Sequence, residues 1–134
     1  MRKKLLLIIF LLTLICLGAC GQKNLEMDSS SEQPAQFDVT LTIKNNDNII
    51  FESNEVKAQK GQSVFDVLLA VCGQNDISID YRKSVMGNYV AAISGLREKT
   101  DGVGWTYFVN GDKAAKACSA YKVKENDRIL WDFS

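Results

Sequence analysis

Histidine is absent from all 134 residues. The chain therefore lacks the one side chain that titrates near neutrality unaided, and with it the commonest general acid and base. Its four cysteines form no CxxC pair and have no companion ligands nearby in sequence, so neither a metal site nor a dithiol redox motif is written into it. Asn45, Asn46, Asp47 and Asn48 read as turn chemistry rather than a calcium loop. There is no glycine-rich phosphate cradle, and no internal repeat is apparent. Acidic pairs such as Asp127 with Asp132 are expected in turns or on strand edges, where carboxylates stay solvated. No catalytic residue, no metal ligand and no required cofactor are assigned. A long basic stripe is also missing, which removes the electrostatic reason to bind nucleic acid.

What is present starts at the first residues. Arg2, Lys3 and Lys4 precede an apolar run from Leu5 to Leu17, and the run closes in Leu17, Gly18, Ala19, Cys20. It is shorter than the roughly 20 residues that span a bilayer, so it fits the apolar part of a secretory signal. The segment resembles the lipoprotein class of bacterial signals. That resemblance implies cleavage after residue 19, a diacylglyceryl group on the Cys20 thiol, and extracytoplasmic anchoring to the cell membrane through that lipid. Two acyl chains on one cysteine suffice for stable anchoring. The other reading is an ordinary signal peptide with an incidental cysteine. Without residues 1–19 the chain keeps 13 basic against 16 acidic residues, a net charge of −3.

Residues 20–36 are polar and broken, with Ser29, Ser30, Ser31 and Pro34 and almost nothing to bury. They read as a disordered tether. Residues 37–134 are then expected to form one domain with one modest core. Phe37 to Lys44 alternates apolar and polar with period two, the mark of a half-buried strand. A returning strand is expected over Ile49 to Ala58. Ser63 stands three residues before Asp66 and just ahead of Val64, Val67, Leu68 and Val71, which predicts a capped helix ending near Cys72 or Gly73. Further strands are expected at Ile77 to Tyr81, Asn88 to Ser94, Trp105 to Val109 and Arg128 to Phe133. One helix among strands predicts an α+β, β-grasp-like fold, with the helix packed on a single mixed β-sheet and the last strand beside the first. Leu130 falls on the parity that this scheme leaves exposed.

Four stretches carry a family resemblance: Gly61 to Leu69 into the helix; Gly87 to Val90 with Ile93 and Gly95; Gly104 to Gly111; and Tyr121 to Asp127 with Ile129 and Trp131. Together they resemble the transcobalamin-like C-terminal domain family, found in small Gram-positive surface lipoproteins and in animal cobalamin carriers. The resemblance implies a β-grasp-type module without known catalysis. In the animal carriers the domain closes over cobalamin together with a large helical domain, so cobalamin is a candidate ligand.

Candidate ligand contacts come from aromatics and from the long loop between Gly95 and Gly104. Trp105 and Tyr107 share one parity of their strand and Phe108 takes the other. A site is expected between the loop, Tyr89, Trp105, Tyr107 and Phe108, against the alternative that Trp105 and Tyr107 are core residues. Cys72 and Cys118 are two further thiols, and either a disulfide between them or two buried free thiols is open. The functional expectation is a surface-displayed binding module that captures a small ligand such as cobalamin and passes it to a transporter. The alternative is a module that docks a neighbouring surface protein through an exposed sheet edge.

Overall fold

The computed structural model describes residues 34–134. The expected leader with Cys16, the lipidation candidate Cys20 and most of the expected tether lie outside the described residues.

Alternating side chains build β1 (Gln36–Asn45), with Val39, Leu41 and Ile43 buried. A tight turn through Asn46, at φ 52°, returns the chain as β2 (Asn48–Gln59). Helix α1 (Val64–Gln74) starts on a complete capping box. The Ser63 hydroxyl oxygen accepts from the Asp66 amide, and the Asp66 carboxylate accepts from the Ser63 amide at 2.7 Å. These bonds satisfy donors that a helix start otherwise leaves orphaned. Five residues of its apolar stripe, Val64, Phe65, Val67, Leu68 and Val71, are buried together with Cys72. The remaining strands are β3 (Ile79–Ser84), β4 (Gly87–Ile93), β5 (Leu96–Arg97), β6 (Trp105–Val109), β7 (Asp112–Lys113) and β8 (Arg128–Phe133).

The expected single sheet with one helix packed on it is not what forms. The described residues are mostly β, with two sheets and one short helix. A five-stranded sheet runs β2-β1-β8-β6-β7, and a separate three-stranded sheet runs β3-β4-β5. In the larger sheet β1, β8 and β6 each have both neighbours in place, and its edges are the two-residue β7 and the twelve-residue β2. The physical reason for the separate sheet is loop length. The segment after the helix pairs instead with its own continuation, Ile79 with Ile93 through Ser84 with Gly87, because closing a short loop costs little entropy. The first strand of this hairpin is also displaced from its expected position. The Ile77 amide donates to the Cys72 carbonyl at 2.9 Å, and the strand begins only at Ile79.

Within the larger sheet β8 is central. It lies parallel to β1, with Leu41 opposite Ile129 and Ile43 opposite Trp131, and antiparallel to β6, with Tyr107 opposite Trp131. Ile129, Trp131 and Phe133 fall on the buried face, while Leu130 is half-buried on the other. One hydrophobic cluster joins the inner residues of β1, β8 and β6 with those of α1 and with Val90 and Ile93 of β4. Among the described residues no helix is long and apolar enough to cross a membrane.

Candidate ligand-binding surface

Strand β6 divides the aromatic candidates between two faces. Trp105 and Tyr107 are buried, and Phe108 is half-buried on the opposite side. The Trp105 indole N–H donates to the Leu96 carbonyl at 2.8 Å and its ring lies 5.1 Å from that of Phe133. This bond fastens the Gly95–Gly104 loop to the core, and reciprocal 3.1 Å bonds between the backbones of Gly104 and Ser134 hold the loop's far end. Tyr107 donates to the Lys116 carbonyl at 2.6 Å and packs at 5.2 Å against Trp131. Burial, with smaller contributions from Cys118 and Tyr121, pushes its phenol up to about 12.

Tyr89 sits differently. It is exposed on β4, its hydroxyl donates to the Glu98 carboxylate of the loop, and the Arg82 guanidinium pairs with the same carboxylate while lying 5.0 Å from the ring centre. The hydrogen bond to Glu98, with some desolvation, holds the Tyr89 phenol above its ordinary range. Tyr89 and Trp105 thus both engage the loop, through Glu98 and Leu96. Phe108 points away from Trp105 and Tyr107, so the four candidates do not line one surface. Beside the loop, Gly95, Leu96, Lys99 and Val103 face Asn46 and Phe133 across a cleft of about 630 Å³.

On the outer face of the larger sheet, register places side chains in one row: Glu52 of β2, Thr42 of β1, Leu130 of β8, Phe108 of β6 and Lys113 of β7. Phe108 and Leu130, with the exposed Ile49, floor an open depression of about 540 Å³ rimmed by Thr42, Glu52 and Arg128. An apolar floor inside a polar rim can hold a flat, partly apolar molecule and orient it by a few hydrogen bonds. Of this set only Phe108 was among the sequence candidates. Leu130 carried a signal, the outward parity of an otherwise apolar strand. Thr42, Glu52 and Ile49 carried none, since only sheet order brings β1 and β2 alongside β8.

Cys72 and Cys118 are both buried as free thiols. Burial pushes each thiol up to about 11, so both are protonated near neutrality and poor nucleophiles. The Cys118 sulfur is engaged with the Asn88 carbonyl at 3.3 Å. Among the described residues no three His, Cys, Asp or Glu side chains cluster as metal ligands.

Comparison with solved structures finds the same fold elsewhere. Haptocorrin in complex with Cbi superposes with a TM-score of 0.65 at 19% identity, over 74% of this chain and 25% of haptocorrin. The chain therefore matches only about a quarter of haptocorrin's length. A protein from Ruminococcus gnavus ATCC 29149, assigned provisionally to metal binding, superposes with a TM-score of 0.54 at 13% identity, over 73% of this chain and 96% of its own. At these identities the likeness is one of fold. No curated protein shows significant sequence similarity to the chain. Residues 61–134, from the turn before the helix to the last strand, match the family model DUF4430, a domain of unknown function, and the chain belongs to that family.

Proposed function

We propose that the chain is a membrane-anchored, extracytoplasmic, non-catalytic binding module that captures a small molecule, with cobalamin or a compound of similar size as the candidate, for delivery to a transporter. The observation that carries the binding part is the Phe108–Leu130 floor. It leaves two apolar side chains facing an open volume of about 540 Å³ on a sheet whose other face already supplies the core. The fold likeness to haptocorrin, a structure determined with Cbi, supports the choice of ligand class. The anchoring part rests on the Leu17, Gly18, Ala19, Cys20 sequence.

The test is the melting temperature of the full chain against a panel of corrinoids and other tetrapyrrole-sized compounds. A ligand present at 100 times its Kd adds about 2.7 kcal/mol to stability, and Phe108→Ala with Leu130→Ala should abolish that gain, read as the difference between the variant's melts with and without ligand. Saturable stabilisation that survives both substitutions would remove the outer face from consideration. Incorporation of a fatty-acid probe at Cys20 tests the anchor separately.

A second reading is supported by β2, a twelve-residue strand at the outer edge of the larger sheet. An edge of that length can accept a strand from a neighbouring surface protein. Stoichiometric crosslinking on cells, without any small-molecule shift, is the outcome that favours it.

A further inference from the structure

The tip of the β3–β4 hairpin has no place in the ligand-binding reading. Turns of this kind usually take Gly, Asn, Asp or Ser, yet the two residues between β3 and β4 are Val85 and Met86, with relative exposures of 104% and 84%. The tip is braced. The Ser84 hydroxyl donates to the Gly87 carbonyl at 2.9 Å and accepts from the Met86 amide at 3.2 Å. Gly87, at φ +116°, lies so close to the neighbouring segment that a side chain there would meet the Ala117 Cβ at 2.5 Å. The Asn88 amide donates to the Ser119 hydroxyl at 2.9 Å. Val85 and Met86 are thus held outward on an anchored base.

Charge is segregated in the same place. The stretches 81–97 and 113–124, which meet at Gly87 and Ala117, contain Arg82, Lys83, Arg97 and four lysines without a single carboxylate. The other described residues hold five cations against thirteen carboxylates. Arg82 and Arg97 are paired with Glu98 and Asp80 from outside those stretches. Lys83 remains exposed two positions from Val85, and Lys116 is exposed next to Ala117.

We infer that this hairpin tip docks on an anionic lipid bilayer, with Val85 and Met86 entering the headgroup boundary and Lys83 and Lys116 meeting the lipid phosphates. Shallow apolar insertion backed by basic side chains is the ordinary chemistry of interfacial binding. The inference rests on the membrane-anchored reading for its setting. Cys20 stands sixteen positions before Gln36, a tether spanning up to about 55 Å when extended. That length by itself assigns no face of the domain to the membrane, and the hairpin is the face inferred to meet it.

The experiment uses the full chain attached to vesicles, with a tryptophan placed at the tip by Val85→Trp or at a control position by Asp47→Trp. The control is remote: Asn46 faces Gly95 across the loop cleft, so Asp47 lies toward the opposite end of β4, about 20 Å away at 3.3 Å per residue. The native Trp105 and Trp131 are buried and supply a constant background. On vesicles containing phosphatidylglycerol, the tip tryptophan should shift to the blue and be quenched by brominated acyl chains, whereas the control should stay accessible to iodide. Lys83→Glu should reduce the tip signal at least twofold without changing the melt, since the residue is exposed. Equal iodide access at both positions overturns the inference, and so does equal quenching on purely zwitterionic vesicles. A shift that needs added protein and does not occur on lipid overturns it as well. Blue shift and quenching are read at the tip, whereas the anchoring reading is tested by fatty acid at Cys20, so absence of that fatty acid would defeat the anchoring reading without touching this result.

Discussion

The two faces of the five-stranded sheet are made by the same strands, residue by residue in alternation, yet they do opposite things. Inward, Leu41, Ile43, Ile129 and Trp131 are almost wholly buried in one cluster with the helix. Outward, Thr42, Leu130 and Phe108 form a row that meets open solvent. An inward side chain is surrounded by neighbours that cannot rearrange without opening voids, so its loss is felt throughout the core. An outward one touches only its flanking strands, which leaves it available to a ligand. The difference teaches that stability and binding can be varied separately in this fold.

Leu41→Ala should be the harshest test of the inward face. Its side chain is fully buried between β2 and β8, and the expected loss is about 2–5 kcal/mol, measured by urea denaturation. Gly87→Ala should follow at about 1–3 kcal/mol, because the new methyl collides with Ala117 and the backbone is in a region that L residues avoid. Its damage should be local, with hydrogen exchange rising in β3 and β4 and not in β8.

Ser63→Ala removes the helix cap and should cost about 0.5–2 kcal/mol. It should also change the acid limb. Burial pulls the Asp66 carboxyl up, but the hydrogen bonds from the Ser63 hydroxyl and amide and the charge of Lys122 outweigh it, leaving the group below its ordinary range. A depressed carboxylate gives stability that is full above its unfolded pKa and is lost as pH falls through the folded value. The parent should therefore lose stability on acidification more steeply than Ser63→Ala. On the alkaline side the sign reverses. Cys72 and Cys118 rise from 9.0 to about 11, and Tyr107 from 10.0 to about 12. Their contribution is intact below pH 9 and fades as pH passes those raised values, so native-state alkylation of both thiols should lag that of the unfolded chain between pH 9 and 11.

The smallest effect belongs to the outward face. Phe108→Ala should cost less than about 1.5 kcal/mol in urea, since the ring is only half-buried to begin with. A loss approaching that of Leu41→Ala would erase the contrast between the faces.

Much of the larger sheet was legible before any coordinates. Period-two alternation located β1, β6 and β8, and the Ser63–Asp66 spacing located the helix start, because these signals lie within a few residues of one another. The placement of the last strand beside the first also agrees with the structure. The Gly95–Gly104 loop was legible as a feature, but Trp105's role in fastening it through the Leu96 carbonyl was not, since nothing in the sequence says which carbonyl an indole will reach. The separate three-stranded sheet was not legible either. Val90, Ala91, Ala92 and Ile93 are all buried, and a continuous apolar run names no face and no partner.

The sequence by itself determined which residues can form strands, where the helix begins and which side of β8 faces the core, because local periodicity and capping chemistry depend on near neighbours. Tertiary structure alone decided that residues 79–97 leave the main sheet, that Phe108 and Leu130 share an open floor with Ile49, and that Gly87 is locked against Ala117. Each of those outcomes depends on which distant segments meet, and that is a property of the assembled fold that no short stretch of chain contains.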